Sequence, residues 1–285
     1  GLAPPDVRDL PVVAYFHENQ LTYPTRGSDA ERQRDLHFAF SNFTTALAAS
    51  EVWFNSDYHR QVFLHGLAEW LPAMPDAKRL RLEEGVAAIR AKSVVQPPGL
   101  DEALITRRAP GRGEGPLHLV WAARWEHDKN PEDFFAAVRQ LAERGVDYRL
   151  SVLGETYRKV PACFARAREE FADRILDWGF VSREEYRRVL ATADVFVSTA
   201  VHEFFGIAAA EAIAAGCLPV LPDRLAYPEL VQGERSFLYD GDVSSLVERL
   251  AELAAAATGS SNRVERAVIL VDPPIMDTHE MTEKG

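Results

Sequence analysis

Two carboxylates in one stretch of the sequence, TAVHEFFGIAAAEAIAAGCLPVLP, have a spacing and a setting that indicate ligand chemistry. Glu203 lies in a loop beside His202, and Glu211 lies eight positions later in a helix made mostly of Ala and Ile. A glutamate in an apolar helix is rare unless a partner accompanies it. Two interpretations of Glu211 stay open: it accepts hydrogen bonds from two sugar hydroxyls, or it pairs with an arginine from elsewhere in the chain.

The loop that carries Glu203 follows an apolar strand, DVFVST, and Gly206 begins the helix after it. The first N–H groups of a helix lack intrahelical acceptors, so they attract anions such as phosphate. Small side chains at Ala208, Ala209 and Ala210 leave room for a bulky ligand to approach this helix. We therefore expect a ligand with both phosphate and sugar groups at the carboxyl end of this strand.

A second loop, ARWEHDK, carries Arg124 and Lys129 between another strand and a helix whose predicted N-cap is Asn130. A planar guanidinium and a mobile ammonium, five positions apart in one loop, suit a diphosphate. The alternative is a surface ion pair with Glu126 or Asp128. The ligand interpretation is favoured because this loop and the Glu203 loop are expected at neighbouring strand ends.

Two polar runs, HENQ and NSDYHR, each follow a short apolar strand in the first hundred residues. A lone histidine is usually structural, but His17 begins a dense polar run at a strand end and is expected to face a cleft between domains. The residues that we assign to the acceptor side of that cleft are Glu18, Asn19, Gln20, Asn55 and Arg60.

Strands and helices alternate along the chain, which predicts an α/β fold with parallel sheets covered by helices. A Gly/Pro/Arg run, RRAPGRGEGP, indicates a domain boundary. We expect the N-terminal domain to be incomplete because it offers fewer strands than a doubly wound domain needs. The expected division is an N-terminal domain at 1–98, a linker at 99–116, a C-terminal domain at 117–257 and a tail of uncertain placement at 258–285.

Composition limits the classes of function. The net charge of −11 argues against a generic nucleic-acid binder, because neutralising phosphates needs clustered cations. Two well-separated cysteines, Cys163 and Cys217, indicate a reducing compartment and a cytoplasmic protein. The sequence offers no apolar run of about 18 residues, so no contact with a membrane is expected.

Several other chemistries are poorly supported. The sequence contains neither a GxGxxG turn after a strand, nor a GxxxxGK[ST] loop, nor a GxSxG elbow. Histidines stand beside glutamates in WEHDK and VHEFF, but neither has the HExxH spacing of a zinc site. We therefore expect no metal ion and no dinucleotide cofactor.

The motifs Arg-x4-Lys and Glu-x7-Glu, with FG after the first glutamate, resemble those of retaining GT-B glycosyltransferases that use nucleotide-sugar donors. Further segments extend this resemblance over most of the chain, among them YFHENQLTYP, WFNSDYHR, ARWEHDKNPEDFF, HEFFGIAAAEA and GCLPVLPDRLAYPEL. Together they are similar to the tRNA-queuosine α-mannosyltransferase family.

This resemblance implies two Rossmann-like domains that face each other across a cleft, with GDP-mannose as the donor and queuosine in tRNA as the acceptor. It implies that Arg124 and Lys129 hold the diphosphate, that Glu203 holds the hexose and that Glu211 holds the ribose. The complete donor site would comprise Arg124, Lys129, Phe180, Val181, Glu203, Phe204, Phe205, Gly206, Ile207 and Glu211. The residues implied in catalysis are His17, Arg124, Lys129 and Glu203.

Two alternatives stay open at this point. A transferase of the same fold could use another nucleotide-sugar and a lipid or small-molecule acceptor. The chain could also bind a nucleotide-sugar without catalysing transfer, because its N-terminal domain is expected to be incomplete.

Overall fold

The computed structural model describes residues 10–19, 21, 29–74, 82–104, 115–156 and 160–257. Within them the chain forms two separate parallel sheets, one from each half of the sequence. This is the predicted α/β architecture. The predicted limits of the linker and the tail fall largely on residues outside the described ranges, so the domain limits stay a prediction.

The N-terminal sheet has the strand order β1-β2-β3, and both pairs are parallel. Its strands are β1 (Val13–Phe16), β2 (Glu51–Phe54) and β3 (Ser93–Val95), and its helices are α1 (Asp29–Ala48), α2 (Asp57–Trp70) and α3 (Leu82–Ala91). Alternate strand residues, such as Val52 and Phe54, pack with Phe63 and Ile89 into one buried cluster. The polar runs predicted to follow β1 and β2 therefore lie at the same edge of this sheet.

The C-terminal sheet has six parallel strands in the order β6-β5-β4-β7-β8-β9. The strands are β4 (Leu117–Ala122), β5 (Tyr148–Leu153), β6 (Ile175–Gly179), β7 (Val195–Val197), β8 (Leu218–Pro222) and β9 (Leu238–Tyr239). The chain runs outward from β4 through β5 to β6, then returns to place β7 on the other side of β4. The point between β4 and β7 is where such sheets bind ligands, at the carboxyl ends of the strands.

Helices cover both faces of the C-terminal sheet. They are α4 (Pro131–Glu143), α5 (Cys163–Glu170), α6 (Arg183–Thr192), α7 (Ile207–Ala214), α8 (Tyr227–Leu230) and α9 (Val243–Ala257). Successive residues of β4 point to opposite faces: Leu119 and Trp121 pack with α4, α5 and α9, whereas Val120 and Ala122 pack with α6 and α7. A strand buried on both sides explains the continuously apolar run that predicted it.

Local sequence patterns predict most element boundaries. The strand β7 lies within the apolar run DVFVST, and α7 begins directly after Gly206, as predicted. Asn130 is an exception: it stands before α4 with φ 50°, but its side chain makes no cap hydrogen bond and its Nδ2 instead donates to Asp133 Oδ2 at 2.6 Å. Among the described helices, none is both long enough and apolar enough to cross a membrane.

The hydrogen bonds that cap the first turn of α6 can be tested by their effect on stability. Ser182 Oγ accepts a hydrogen bond from Glu185 N, and Glu185 Oε2 accepts one from Ser182 N, so each satisfies a donor of the helix end. We expect Ser182→Ala to lower the free energy of unfolding by about 1 kcal/mol, measured by urea unfolding. Ser41→Ala, within α1, is the matched control, and a loss there as large as at Ser182 would contradict the capping role.

Candidate functional site

The loops after β4 and β7 lie side by side at the carboxyl edge of the C-terminal sheet. Val201 N and His202 N both donate to Asp128 O, at 2.9 and 3.3 Å, and Thr199 Oγ1 donates to Lys129 O at 2.9 Å. These bonds join the loop that carries Arg124 and Lys129 to the loop that carries Glu203. The predicted proximity of the two loops is confirmed.

Lys129 is buried between these loops, with only 10% of its side chain exposed. Its Nζ donates to His202 O at 2.9 Å and to Glu203 Oε2 at 3.3 Å, and it lies 3.2 Å from Asp128 Oδ2. A buried ammonium needs such partners, because its desolvation is costly otherwise. The ion pair with Asp128 that the sequence left open is therefore present, but it is buried and includes Glu203.

Arg124 lies nearer to solvent, with 45% of its side chain exposed. Its Nη1 is 3.2 Å from Glu126 Oε2, which is the ion pair expected under the alternative interpretation. An exposed pair of this type contributes little to stability, so an anionic ligand can compete with it. The diphosphate role of Arg124 stays a prediction.

The Glu203 loop has a defined backbone conformation. Glu203 Oε1 accepts hydrogen bonds from Phe204 N at 3.0 Å and Phe205 N at 3.4 Å, which orients the carboxylate along the start of α7. Gly206 follows with φ 85°, and a Cβ there would lie 2.9 Å from the Tyr227 ring. Both the positive φ and the closeness of the Tyr227 ring favour glycine at this position.

A cavity of about 340 Å³ lies beside this loop, at the ends of β4, β5 and β6. Its lining includes Phe180 and Val181, the residues predicted to contact a base, together with Gly154, Arg183, Tyr186, Ala208 and Glu211. Gly154 is needed here because a Cβ on it would stand 1.9 Å from Ala123 O. The close approach of these two loops shapes the wall of the cavity.

Glu211 is buried at this wall and has two partners. Its Oε1 accepts from Arg183 Nη2 at 2.7 Å, and its Oε2 accepts from Tyr186 O–H at 2.9 Å. The pKa of Tyr186 is raised, chiefly because burial disfavours the phenolate, so the phenol stays protonated and donates. The arginine partner left open by the sequence is therefore Arg183, which also lies 3.5 Å from Asp101 Oδ2.

The pairing does not remove Glu211 from the cavity. A carboxylate oxygen has about two lone-pair directions, so each oxygen can accept one further hydrogen bond. Arg183, Tyr186 and Asp101 were missed by sequence reasoning. The capping box at Ser182 held the relevant information, since it places Arg183 and Tyr186 three residues apart on one face of a helix that begins at a strand end.

A second, smaller cavity adjoins the first, and Ala122, Ala123 and Ala208 line both. Lys129, Glu203 and Gly206 line the smaller one. The two cavities thus share a lining of small side chains, of which Ala208 belongs to α7. The anion contacts predicted for the backbone at Phe205, Gly206 and Ile207 stay predictions.

Phe204 differs from the other residues assigned to the donor site. It lies outside the lining of both cavities, and its buried ring stacks on His59, with centroids 4.1 Å apart. The assignment of Phe204 to the donor site stays a prediction. The packing of its ring buries apolar surface between the domains.

The predicted site residues of the N-terminal domain, the catalytic candidate His17 and those assigned to the acceptor side, divide into two groups. His17 and Glu18 are exposed, whereas the amides of Asn19 and Asn55 are buried and bonded within the protein. Asn55 Nδ2 donates to His17 O at 2.9 Å, and Asn19 Oδ1 accepts from Leu21 N at 3.1 Å.

Arg60 forms an ion pair with Asp57, and Gln20 lies outside the described residues. The hexose contact of His17 stays a prediction, and so do the acceptor contacts of Glu18, Asn19, Gln20, Asn55 and Arg60. Among the residues that the structure describes, no three His, Cys, Asp or Glu side chains are grouped to hold a metal ion.

Comparison with solved structures identifies the fold. The chain resembles sucrose-phosphate synthase from Thermosynechococcus elongatus with a TM-score of 0.65 and 18% identity, covering 86% of this chain and 59% of that one. It resembles Anabaena HepE, solved in complex with UDP, with a TM-score of 0.61 and 16% identity, covering 87% of this chain and 64% of that one. The two parallel-sheet units and the site at the β4/β7 switch point are those of a GT-B glycosyltransferase.

Sequence comparison finds related proteins. Residues 1–100 match the family model described as "tRNA-queuosine alpha-mannosyltransferase N-terminal", and residues 116–256 match "Glycosyl transferases group 1". The chain is 36% identical over 240 residues to the tRNA-queuosine alpha-mannosyltransferase of Drosophila melanogaster, covering 82% of this chain and 62% of that protein. It is 31% identical over 160 residues to D-inositol 3-phosphate glycosyltransferase of Pseudarthrobacter chlorophenolicus, covering 52% of this chain and 38% of that protein.

Both halves of the chain are therefore similar to glycosyltransferases, and the N-terminal half matches the tRNA-queuosine α-mannosyltransferase model, as the sequence motifs indicated. The chain spans less than two thirds of the length of either relative.

The buried histidines beside this site, His59 and His202, predict how the stability of the fold depends on pH. Burial, with smaller contributions from the nearby His202 and His17, lowers the pKa of His59 from 6.5 to about 3. Burial also lowers the pKa of His202. Because folding lowers the pKa of His59, the unfolded chain takes up the proton first on acidification, and stability falls as the pH drops below about 6.5.

We expect His59→Phe to remove about 2 kcal/mol of the loss in unfolding free energy between pH 7.5 and pH 5. The measurement is urea unfolding at several pH values, and the slope against pH is the readout. His65→Gln is the control, because His65 is exposed. An unchanged slope in His59→Phe would mean that His59 titrates normally.

Proposed function

We propose that this chain transfers a mannosyl group from GDP-mannose to queuosine in tRNA, with retention of anomeric configuration. One observation carries the proposal: a cavity of about 340 Å³ with Glu211 on its wall adjoins a second cavity lined by Lys129 and Glu203. Its size falls at the lower end of the range for small-molecule sites. The similarity to the Drosophila tRNA-queuosine alpha-mannosyltransferase supports the mannosyl group and the acceptor.

The donor would lie along the carboxyl edge of the C-terminal sheet. Its base would rest against Phe180 and Val181, and its ribose hydroxyls would bond the carboxylate of Glu211. The diphosphate would then reach Arg124, Lys129 and the start of α7. This order follows the two adjoining cavities, because Ala122, Ala123 and Ala208 are the small residues over which the donor would pass.

The hexose would bind at Glu203, facing the N-terminal domain, from which His17 would contact it. During transfer the bond between the anomeric carbon and the phosphate oxygen breaks, and a bond from the acceptor hydroxyl oxygen to that carbon forms on the same face. The acceptor proton passes to the leaving diphosphate. Lys129 and Arg124 would stabilise the negative charge that develops there, because their charges are already in place.

The state of the two cysteines supports a location for the protein in the cell. Cys163 and Cys217 are buried free thiols, a state that a reducing compartment maintains. We place the reaction in the cytoplasm on this basis. Neither thiol lines the donor cavities.

The donor proposal predicts a preference for guanine nucleotides. In calorimetric titration we expect GDP and GDP-mannose to bind at least tenfold more tightly than UDP and UDP-glucose. Glu211→Ala should weaken GDP-mannose binding by one to two orders of magnitude, equivalent to about 1.4 to 3 kcal/mol, while the chain stays folded. Glu169→Gln, an exposed glutamate on α5, is the control for a change of charge alone.

Arg183→Met separates ligand binding by Glu211 from a structural role. If Glu211 serves only as the partner of Arg183, both Glu211→Ala and Arg183→Met unfold the chain, and the folded fraction binds donor normally. A preference for UDP would exclude GDP-mannose and retain the glycosyltransferase class.

The acceptor proposal predicts transfer to one class of RNA. With GDP-mannose present, tRNA that contains queuosine should gain one hexose per molecule, measured by mass spectrometry of nucleosides after digestion. The same tRNA with guanine in place of queuosine is the matched control and should stay unmodified. Donor binding without transfer to the queuosine tRNA would contradict the acceptor assignment and favour a binding protein or another acceptor.

A further inference from the structure

The start of α2, in the N-terminal domain, contacts the loop that carries Glu203 in the C-terminal domain. Ser56 is the N-cap of α2: its Oγ accepts from His59 N at 2.9 Å. The same hydroxyl donates to Phe204 O at 2.5 Å. One buried serine thus joins a helix end in one domain to the residue next to Glu203 in the other.

His59 forms the second contact with this loop. Its ring stacks on the Phe204 ring at 4.1 Å with an interplanar angle of 22°. Its Nδ1 is 2.8 Å from Asn55 Oδ1, and Asn55 Nδ2 donates to His17 O. Since the amide oxygen can only accept, the Nδ1 atom carries the proton. The ring is thereby fixed within the N-terminal domain and presents a rigid face to Phe204.

Glu229, on α8 of the C-terminal domain, forms the third contact. Its Oε1 accepts from Asp57 N at 2.8 Å and its Oε2 accepts from Tyr58 N at 2.9 Å. These are first-turn N–H groups of α2, which have no intrahelical acceptor, and a carboxylate at this end is also favoured by the helix dipole. The two domains therefore share one helix cap.

Helix α8, which carries Glu229, also packs against the Glu203 loop through Tyr227. Tyr227, at the start of α8, packs against Gly206, and its hydroxyl is 2.7 Å from Ser198 Oγ on the strand side of the loop. The loop between Ser198 and Gly206 is thus held by Tyr227 on one side and by Ser56 and His59 on the other. Glu203 lies between these anchors.

We infer that Ser56, His59 and Glu229 are positioning residues for Glu203, through which the N-terminal domain fixes the carboxylate that faces the sugar. This inference rests on the proposed function for the role of Glu203 itself. Glu203 Oε1 is bonded to Phe204 N, so displacement of Phe204 moves the carboxylate with it. In enzymes a displacement of about 1 Å can cost on the order of 100-fold in rate.

The first test needs no activity. Hydrogen exchange of the backbone amides at 202–206 in the ligand-free chain should be at least tenfold faster in Ser56→Ala and in Glu229→Gln than in the unaltered chain. Glu169→Gln is the charge-matched control and should leave exchange at 202–206 unchanged. Equal protection in all four proteins would overturn the inference, because the contacts would then not hold the loop.

The second test uses transfer to queuosine tRNA. Ser56→Ala and Glu229→Gln should lower kcat about 10- to 100-fold while the Kd for GDP changes less than about twofold, because GDP lacks the hexose that Glu203 would hold. Combined with Glu203→Gln, either change should lower kcat by less than the product of the single effects. A kcat that falls only with the folded fraction, or effects that multiply, would overturn the inference.

The two proposals fail separately. If the unaltered chain transfers no mannose but exchange at 202–206 rises as expected, the proposed function is wrong and the positioning role stands. If transfer occurs and neither exchange nor kcat responds to the variants, the positioning role alone is wrong.

Discussion

The buried ammonium of Lys129 is the charge on which the arrangement of the site depends. In the interior it requires carboxylate and carbonyl partners, and these come from two loops: Asp128 from its own, and His202 O and Glu203 from the loop after β7. Such loops can meet only if β7 lies beside β4, which is the strand order observed. The pairing of one lysine thus connects the sheet topology to the position of Glu203.

A second constraint is space. The walls between the two cavities consist of Ala122, Ala123 and Ala208, and Gly154 lets the loop after β5 touch the loop after β4. Larger side chains at these positions would close the path between the Glu211 wall and the Lys129 cluster. The small side chain of Ala208 in α7 therefore leaves room for a ligand at the sheet edge. Glu211 is tolerated in that helix because Arg183 and Tyr186 satisfy it.

The features that the sequence predicts depend on residues close together in the chain, whereas the features that it misses depend on residues far apart in the chain. The helix start at Gly206 and the strands that end before the HENQ and NSDYHR runs depend on neighbours within a few residues, and the sequence predicts them correctly. The partners of Glu211 are 25 and 28 residues away, the Ser56–Phe204 bond spans 148 and the Glu229 cap spans 172. Local spacing can place Arg183 and Tyr186 on one face of a helix, but it does not show which distant residue lies opposite them.

Under the proposed function, the pairing of charges in the donor site affects its selectivity for the whole donor. Lys129 is matched by Asp128 and Glu203, and Arg124 by Glu126, so the two basic side chains of the cluster face three carboxylates and attract a passing anion only weakly. A diphosphate must compete with these carboxylates, and the exposed Arg124 pair yields more readily than the buried Lys129 pair. A free phosphate gains nothing from the Glu211 cavity, whereas a nucleotide-sugar contacts both cavities at once. Selectivity for the whole donor therefore follows from weak attraction at the charged end combined with burial of the nucleoside.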